Sequence, residues 1–187
     1  SYYHNWRTHL SLGKDAPQTL ERKVYAPILD VLAEIRNRIQ NDLKADYITI
    51  SGSGEPTLHL ELGRLIDEIH HITSIPVAVI TNGSLLHRPG VREGIRMLGE
   101  LGGEVWFKID RATAAEVETI NGVPMDAGKI RGNLSRCAGL ATTWVQTCWF
   151  ALDGITPDAA ARDAYCALLA PVAPRLAGVH LYGLARP

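Results

Sequence analysis

The chain has 187 residues, 46% hydrophobic and 21% charged, with 19 basic and 20 acidic side chains and a net charge of −1. That length fits one domain able to bury a core without disulfides or metal, and the composition excludes a disordered chain or a coiled coil. The charge balance gives no basic face for nonspecific nucleic-acid binding, and the apolar runs fall short of the roughly 20 residues of a membrane helix.

No repeat or linker is visible, and residues 1–187 read as a single domain. Residues 27–44 read as a helix, with Ile28, Leu32, Ile35, Ile39 and Leu43 at three- and four-residue steps and Pro27 in the first turn. A short strand follows at Asp46–Ser51. After a Gly/Pro loop comes a helix over residues 60–72, with Leu62, Leu65, Ile66 and Ile69 on one face. Pro76–Thr81 is a second strand, apolar on both sides as expected when both faces are covered. Residues 89–101 form a helix, and Val105–Asp110 is a third strand. Two helices are expected at 113–121 and 126–141; Ile130, Leu134, Cys137 and Ala141 share a face of the second. Thr143–Leu152 is a long fourth strand. Pro157–Leu169 is an Ala-rich helix with Pro at its first position. Val179–Leu184 is the fifth strand. Strands alternating with helices imply βα units in a parallel sheet or barrel, whose working loops lie at the C-terminal strand ends.

Polar or glycine-rich residues stand at every one of those ends. The first strand runs into Ser51-Gly52-Ser53-Gly54-Glu55-Pro56-Thr57. Two glycines permit close backbone approach to a ligand, and carbonyls beside a carboxylate suit an ammonium group. The second strand runs into Thr81-Asn82-Gly83-Ser84, suited to hydrogen-bonding a sugar or a carboxylate. Lys108 and Asp110 stand two apart at the end of the third, so they point to the same side. They read either as an ion pair within reach of a ligand or as a structural salt bridge in the core. The fourth strand carries Gln146 and Cys148 and ends at Asp153; the fifth carries His180 and Tyr182 and runs into Arg186. No Walker motif or G-x-G-x-x-G is present.

These segments resemble the radical S-adenosylmethionine (radical SAM) superfamily, in particular its small branch with G-S-G-E-P-T-L and T-N-G-S-L-L. The resemblance runs from about residue 13 to the end, and the two motifs together carry it. It implies a partial (β/α)6 TIM-like barrel whose first strand would lie upstream of residue 1. It implies that Gly52, Ser53, Gly54, Glu55 and Pro56 hold the methionyl amino group of S-adenosylmethionine. Thr81, Asn82, Gly83, Lys108 and Asp110 would lie near its ribose and carboxylate, or near the substrate. The superfamily also carries a C-x3-C-x2-C motif that holds a [4Fe–4S] cluster. Here residues 1–12 correspond to that loop, and the three positions fall on Tyr3, Arg7 and Leu10. Iron–sulfur clusters want thiolates, which none of these supplies, and the neighbouring His4 and His9 do not replace them. Two explanations stand: a degenerate member that has lost its cluster, or an N-terminal portion missing from a chain that begins with Ser rather than Met.

The remaining candidates are single residues. Cys137, Cys148 and Cys166 match no metal-binding spacing and read as free buried thiols, which suits a reducing, cytoplasmic compartment. His70 and His71 read as solvated helix surface, His59 as a loop-to-helix cap and His180 as a core histidine facing the barrel. Arg186 reads as a terminal charge or a contact for substrate. Trp6, Trp106, Trp144 and Trp149 read as barrel wall, with Trp106 and Trp144 placed to flank a flat ring such as adenine.

The expected function is therefore a radical-SAM-type domain that binds S-adenosylmethionine. With a [4Fe–4S] cluster it would cleave that molecule to a 5′-deoxyadenosyl radical and act on a small-molecule substrate. The alternative is a cluster-less, degenerate member acting as a ligand-binding or protein-interaction domain. Glu55→Gln is expected to weaken S-adenosylmethionine binding while leaving the fold intact.

Overall fold

The computed structural model describes residues 27–41, 44–51, 54–121, 126–151 and 154–183. Gly52, Ser53, Asp153, Arg186, residues 1–12 and the expected upstream strand lie outside the described residues. The protein is an α/β fold built on a five-stranded open sheet in the order β1-β2-β3-β4-β5. The strands are β1 (Ile48–Ile50), β2 (Val77–Thr81), β3 (Glu104–Lys108), β4 (Thr142–Cys148) and β5 (Gly178–Tyr182), and every neighbouring pair is parallel. The helices are α1 (Ile28–Gln40), α2 (Leu62–Ile72), α3 (Pro89–Glu100), α4 (Ala114–Asn121), α5 (Ala127–Cys137) and α6 (Ala159–Leu169). Each strand thus lies beside its predecessor in sequence, the order of a partial barrel. No helix among the described residues is long and apolar enough to cross a membrane.

Strand pleating divides the side chains between two faces. Val79, Val105, Phe107 and Val145 are fully buried and pack with Ile66, Ile69, Ile95, Leu98 and Leu134 of the helices in one core. Burying each such side chain is worth roughly 1.5–3 kcal/mol. The opposite, inner face carries Trp106 and Lys108 of β3, Trp144, Gln146 and Cys148 of β4, and His180 and Tyr182 of β5, aligned row by row by the register. On β5 the helix-side residues Val179 and Leu181 pair in register with Val145 and Thr147, yet they are 44% and 65% exposed.

Element boundaries depart from the sequence expectations where capping decides them. Pro27 is the cap before α1 rather than a residue of its first turn. Asp158, not Pro157, opens α6, because its carboxylate accepts from Ala161 N at 2.8 Å. Helix α5 stops at Cys137, whose carbonyl accepts from both Leu140 N and Ala141 N, so Ala141 lies past its end. Strand β4 ends at Cys148 rather than Leu152, since the carbonyls of Cys148 and Phe150 turn to the guanidinium of Arg111.

Candidate functional site at the C-terminal strand ends

The loop after β1 is organised by one carboxylate. Glu55 Oε1 accepts from Thr57 N at 3.1 Å and from Thr57 Oγ1 at 2.6 Å, which caps the 3-10 turn Pro56–Leu58. The same oxygen accepts from Thr81 Oγ1 at 2.5 Å, and Oε2 accepts from Asn82 N at 2.9 Å. Glu55 therefore ties the β1 loop to the end of β2. Oε1 is saturated by three donors, whereas Oε2 keeps acceptor capacity.

The loop after β2 is a second small network. Thr81 Oγ1 also accepts from Gly83 N at 2.9 Å, and Asn82 Oδ1 accepts from Ser84 N at 2.9 Å. The NH2 of Asn82 has no partner among the described residues. Gly83 has φ +69°, and a Cβ there would stand 2.3 Å from the Phe107 ring, so glycine is required by conformation and by space together.

At the end of β3, Lys108 Nζ pairs with the Asp110 carboxylate on the inner side of the sheet. Asp110 Oδ1 also accepts from Cys148 N at 2.8 Å, which fastens the pair to β4. The Asp110 side chain is 11% exposed and that of Lys108 is 32% exposed, so the pair is sheltered but reachable. Lys108 Nζ stands 5.7 Å from the centre of the Tyr182 ring.

Arg111 next to this pair is a residue that sequence reasoning missed. It is buried, donates to Asp110 O at 2.7 Å and to Phe150 O at 2.6 Å, and sits 5.2 and 4.9 Å from the Trp149 and Phe150 ring centres. Its carboxylate neighbour is Glu116, at 3.8 Å. The available signal was a basic residue directly after the Asp that ends an apolar strand; its burial depends on carbonyls of the next strand.

These loops close around a cavity of about 360 Å³. Gly54, Glu55, Pro56, Thr81, Asn82, Lys108 and Asp110 all line it, together with Ser51, Arg111 and the apolar side chains of Ile80, Ile109, Val117 and Ile130. Seven of the ten residues expected at the site are thereby brought together. Gly83 is not among its lining; it shapes the adjacent turn.

The other candidates find different places. Trp106 and Trp144 flank the imidazole of His180: Trp144 stacks on it at 4.4 Å and 17°, and Trp106 meets it edge-on at 5.2 Å. The flat ring between the indoles is thus the protein's own. Burial depresses the His180 pKa below 6.5, opposed by the charge of Glu104. His59 Nδ1 accepts from Glu61 N at 3.1 Å at the entry to α2. His70 and His71 are exposed. Cys137 and Cys148 are buried, but Cys166 is exposed on α6, against the expectation of three buried thiols. Burial pushes the Cys137 thiol up to about 12. No group of three or more metal-ligating side chains occurs among the described residues.

No family model matches the chain. Curated relatives match parts of it. A protein named GTPase Obg of Brachyspira hyodysenteriae is 39% identical over 87 residues, 46% of this chain and 13% of that protein. A UPF0026 protein of Methanocaldococcus jannaschii is 34% identical over 89 residues, 46% of this chain and 27% of the relative. A UPF0026 protein of Synechocystis is 31% identical over 113 residues, 60% of this chain and 40% of the relative. The chain therefore spans 13% to 40% of the length of these three relatives.

Proposed function

We propose that the strand-top cavity binds S-adenosylmethionine and that the chain is a radical-SAM-type ligand-binding domain. The observation that carries this reading is the convergence of Gly54, Glu55, Thr81, Asn82, Lys108 and Asp110 on one cavity at the C-terminal ends of parallel strands. The cavity lies within the usual 300–1,000 Å³ range of small-molecule pockets and mixes apolar walls with a few convergent polar groups. In this reading the methionyl ammonium meets loop carbonyls beside Gly54 and the spare acceptor capacity of Glu55 Oε2. The NH2 of Asn82 faces the carboxylate end, Asp110, held by Lys108, faces the sugar hydroxyls, and Ile80, Val117 and Ile130 supply the apolar wall. Glu55 acts chiefly by shaping the loop.

A [4Fe–4S] cluster does not fit this chain. Its three cysteines sit on α5, β4 and α6, and the Cys137 thiol is held protonated at neutral pH. The proposed activity is ligand binding. A GTPase reading, prompted by the name of one relative, lacks a phosphate loop with Lys followed by Ser or Thr. A protein-interaction role is favoured by a separate observation, the exposed Val179 and Leu181 on the helix side of β5.

Calorimetric titration of the chain with S-adenosylmethionine tests the proposal. Saturable binding is expected, weakened about ten- to a hundredfold by Asp110→Asn, since charge-assisted contacts are worth roughly 1.5–3 kcal/mol. Absence of binding at millimolar ligand would overturn it and leave the interaction role.

A further inference from the structure

Six polar or charged residues are buried among those described. Five of them, Thr57, Thr81, Arg111, Thr143 and Thr147, make side-chain hydrogen bonds. Gln146 is the sixth. It is 7% exposed, and its side-chain amide has no hydrogen-bond partner in the described structure. Burying an amide unpaired is unfavourable, and native folds rarely accept it without a reason. Among the described side chains, the polar atom both sealed from solvent and unpartnered is Trp144 Nε1. The Gln146 amide is not sealed in that way, so it keeps a route to the inner face.

Its surroundings are built. Gln146 stands in register with Lys108 on β3 and with His180 on β5. One row below, Trp106 and Trp144 stand side by side. Trp144 crosses β5 at Gly178, where a Cβ would come 2.6 Å from its ring, and this missing side chain lets the indole lie flat under His180. The fold thus leaves one indole N–H unsatisfied while holding two indoles and an imidazole in a fixed array, with an unpaired amide beside them.

We propose that this inner wall is a second ligand site, separate from the strand-top cavity, and that it takes an uncharged flat ligand bearing a carboxamide or lactam edge. Gln146 offers one acceptor and two donors side by side. Another amide satisfies both kinds at once. A carboxylate would leave the Gln146 oxygen unpaired, and the nearest cation in register, Lys108, is already taken by Asp110. An ammonium would leave the NH2 unpaired. Trp106, Trp144 and His180 fill the space between one another but are each only half-buried, so the outer surface of the array offers the apolar contact that a flat ligand requires.

The test is an NMR titration of the 15N-labelled chain with benzamide, without S-adenosylmethionine, and with benzoate as the charged comparison. Benzamide is expected to shift the Gln146 side-chain amide and the Trp144 indole resonances saturably, with benzoate at least tenfold weaker. Gln146→Met keeps the length and removes the amide. It is expected to lose the benzamide response at Trp144 and to melt at a higher temperature than the parent chain. Unmoved resonances up to the solubility limit of benzamide would overturn the proposal. Equal affinity for benzoate would also overturn it, as would unchanged benzamide binding by Gln146→Met. So would a lower melting temperature of that variant, which would reveal a structural partner for the amide.

Discussion

Glu55 Oε1 and Thr81 Oγ1 lie 2.5 Å apart across 26 residues of chain, so the loop after β1 is fastened to the end of β2 by a carboxylate that is already in use. This alters the expectation that Glu55→Gln leaves the fold intact. The substituted amide would turn an NH2 toward at least one of the donors that Glu55 accepts from: Thr57 N, Thr57 Oγ1, Thr81 Oγ1 and Asn82 N. Glu55→Gln is expected to lose about 0.5–1.5 kcal/mol of stability, the net worth of one hydrogen bond. Urea denaturation monitored by tryptophan fluorescence checks it. A midpoint equal to the parent's would show that the tie contributes nothing.

Two glycines with nearly equal φ separate conformational strain from crowding. Gly83 (φ +69°) faces Phe107, whereas Gly102 (φ +75°) has nothing within 4 Å of a would-be Cβ. Gly102→Ala is expected to cost about 1–2 kcal/mol through the left-handed backbone alone. Gly83→Ala should cost a further 1–3 kcal/mol or so, from overpacking against the ring. Equal losses in denaturant titrations would mean that Phe107 swings aside freely.

His180 ties stability to pH. Its pKa is depressed on folding, first by desolvation, so the unfolded chain binds the proton more readily than the folded one. The contribution of His180 to stability is complete above about 6.5 and is lost as pH falls from there through the lower folded value. A proton NMR titration of the His180 ring should give a midpoint below 6.5, the ordinary value. His180→Phe should flatten the fall in stability over that window. A midpoint above 6.5 would contradict the burial argument.

Thiol labelling reads the cysteine environments directly. Cys166 is exposed, while burial shields Cys137 and Cys148 and raises both thiol pKa values. An aromatic disulfide reagent at mildly alkaline pH should modify a single thiol in the native state, and all three cysteines once the chain is denatured. Cys166→Ser should abolish the native-state reaction. Rapid labelling of Cys137 would show that α5 opens readily.

The fold was legible because its signals are local. Three- and four-residue spacing marks α2 and α3, and the apolar runs mark β2 and β3. Each predicted strand lies within a few residues of the observed one. The place of the candidate cavity was legible for the same reason, since parallel strands put their C-terminal ends on one rim. What the sequence hid depends on register between segments. That Thr81 would reach Glu55, or that the ring between Trp106 and Trp144 would be His180, requires knowing which residues of neighbouring strands stand side by side. Arg111 reads as an ordinary charge until Phe150 O and Cys148 O are placed beside it.

The sequential strand order has a consequence for synthesis on the ribosome. Every side chain that lines the strand-top cavity lies between Ser51 and Ile130, so the emerging chain holds the whole lining before β4 exists. Its fastenings come later: Cys148 N reaches back to Asp110, and Phe150 O reaches back to Arg111. The chain is made from its N-terminus, so the walls of the cavity are synthesised first and its latch some twenty residues later. A ligand that bound the unlatched walls would act as a template for the docking of β4.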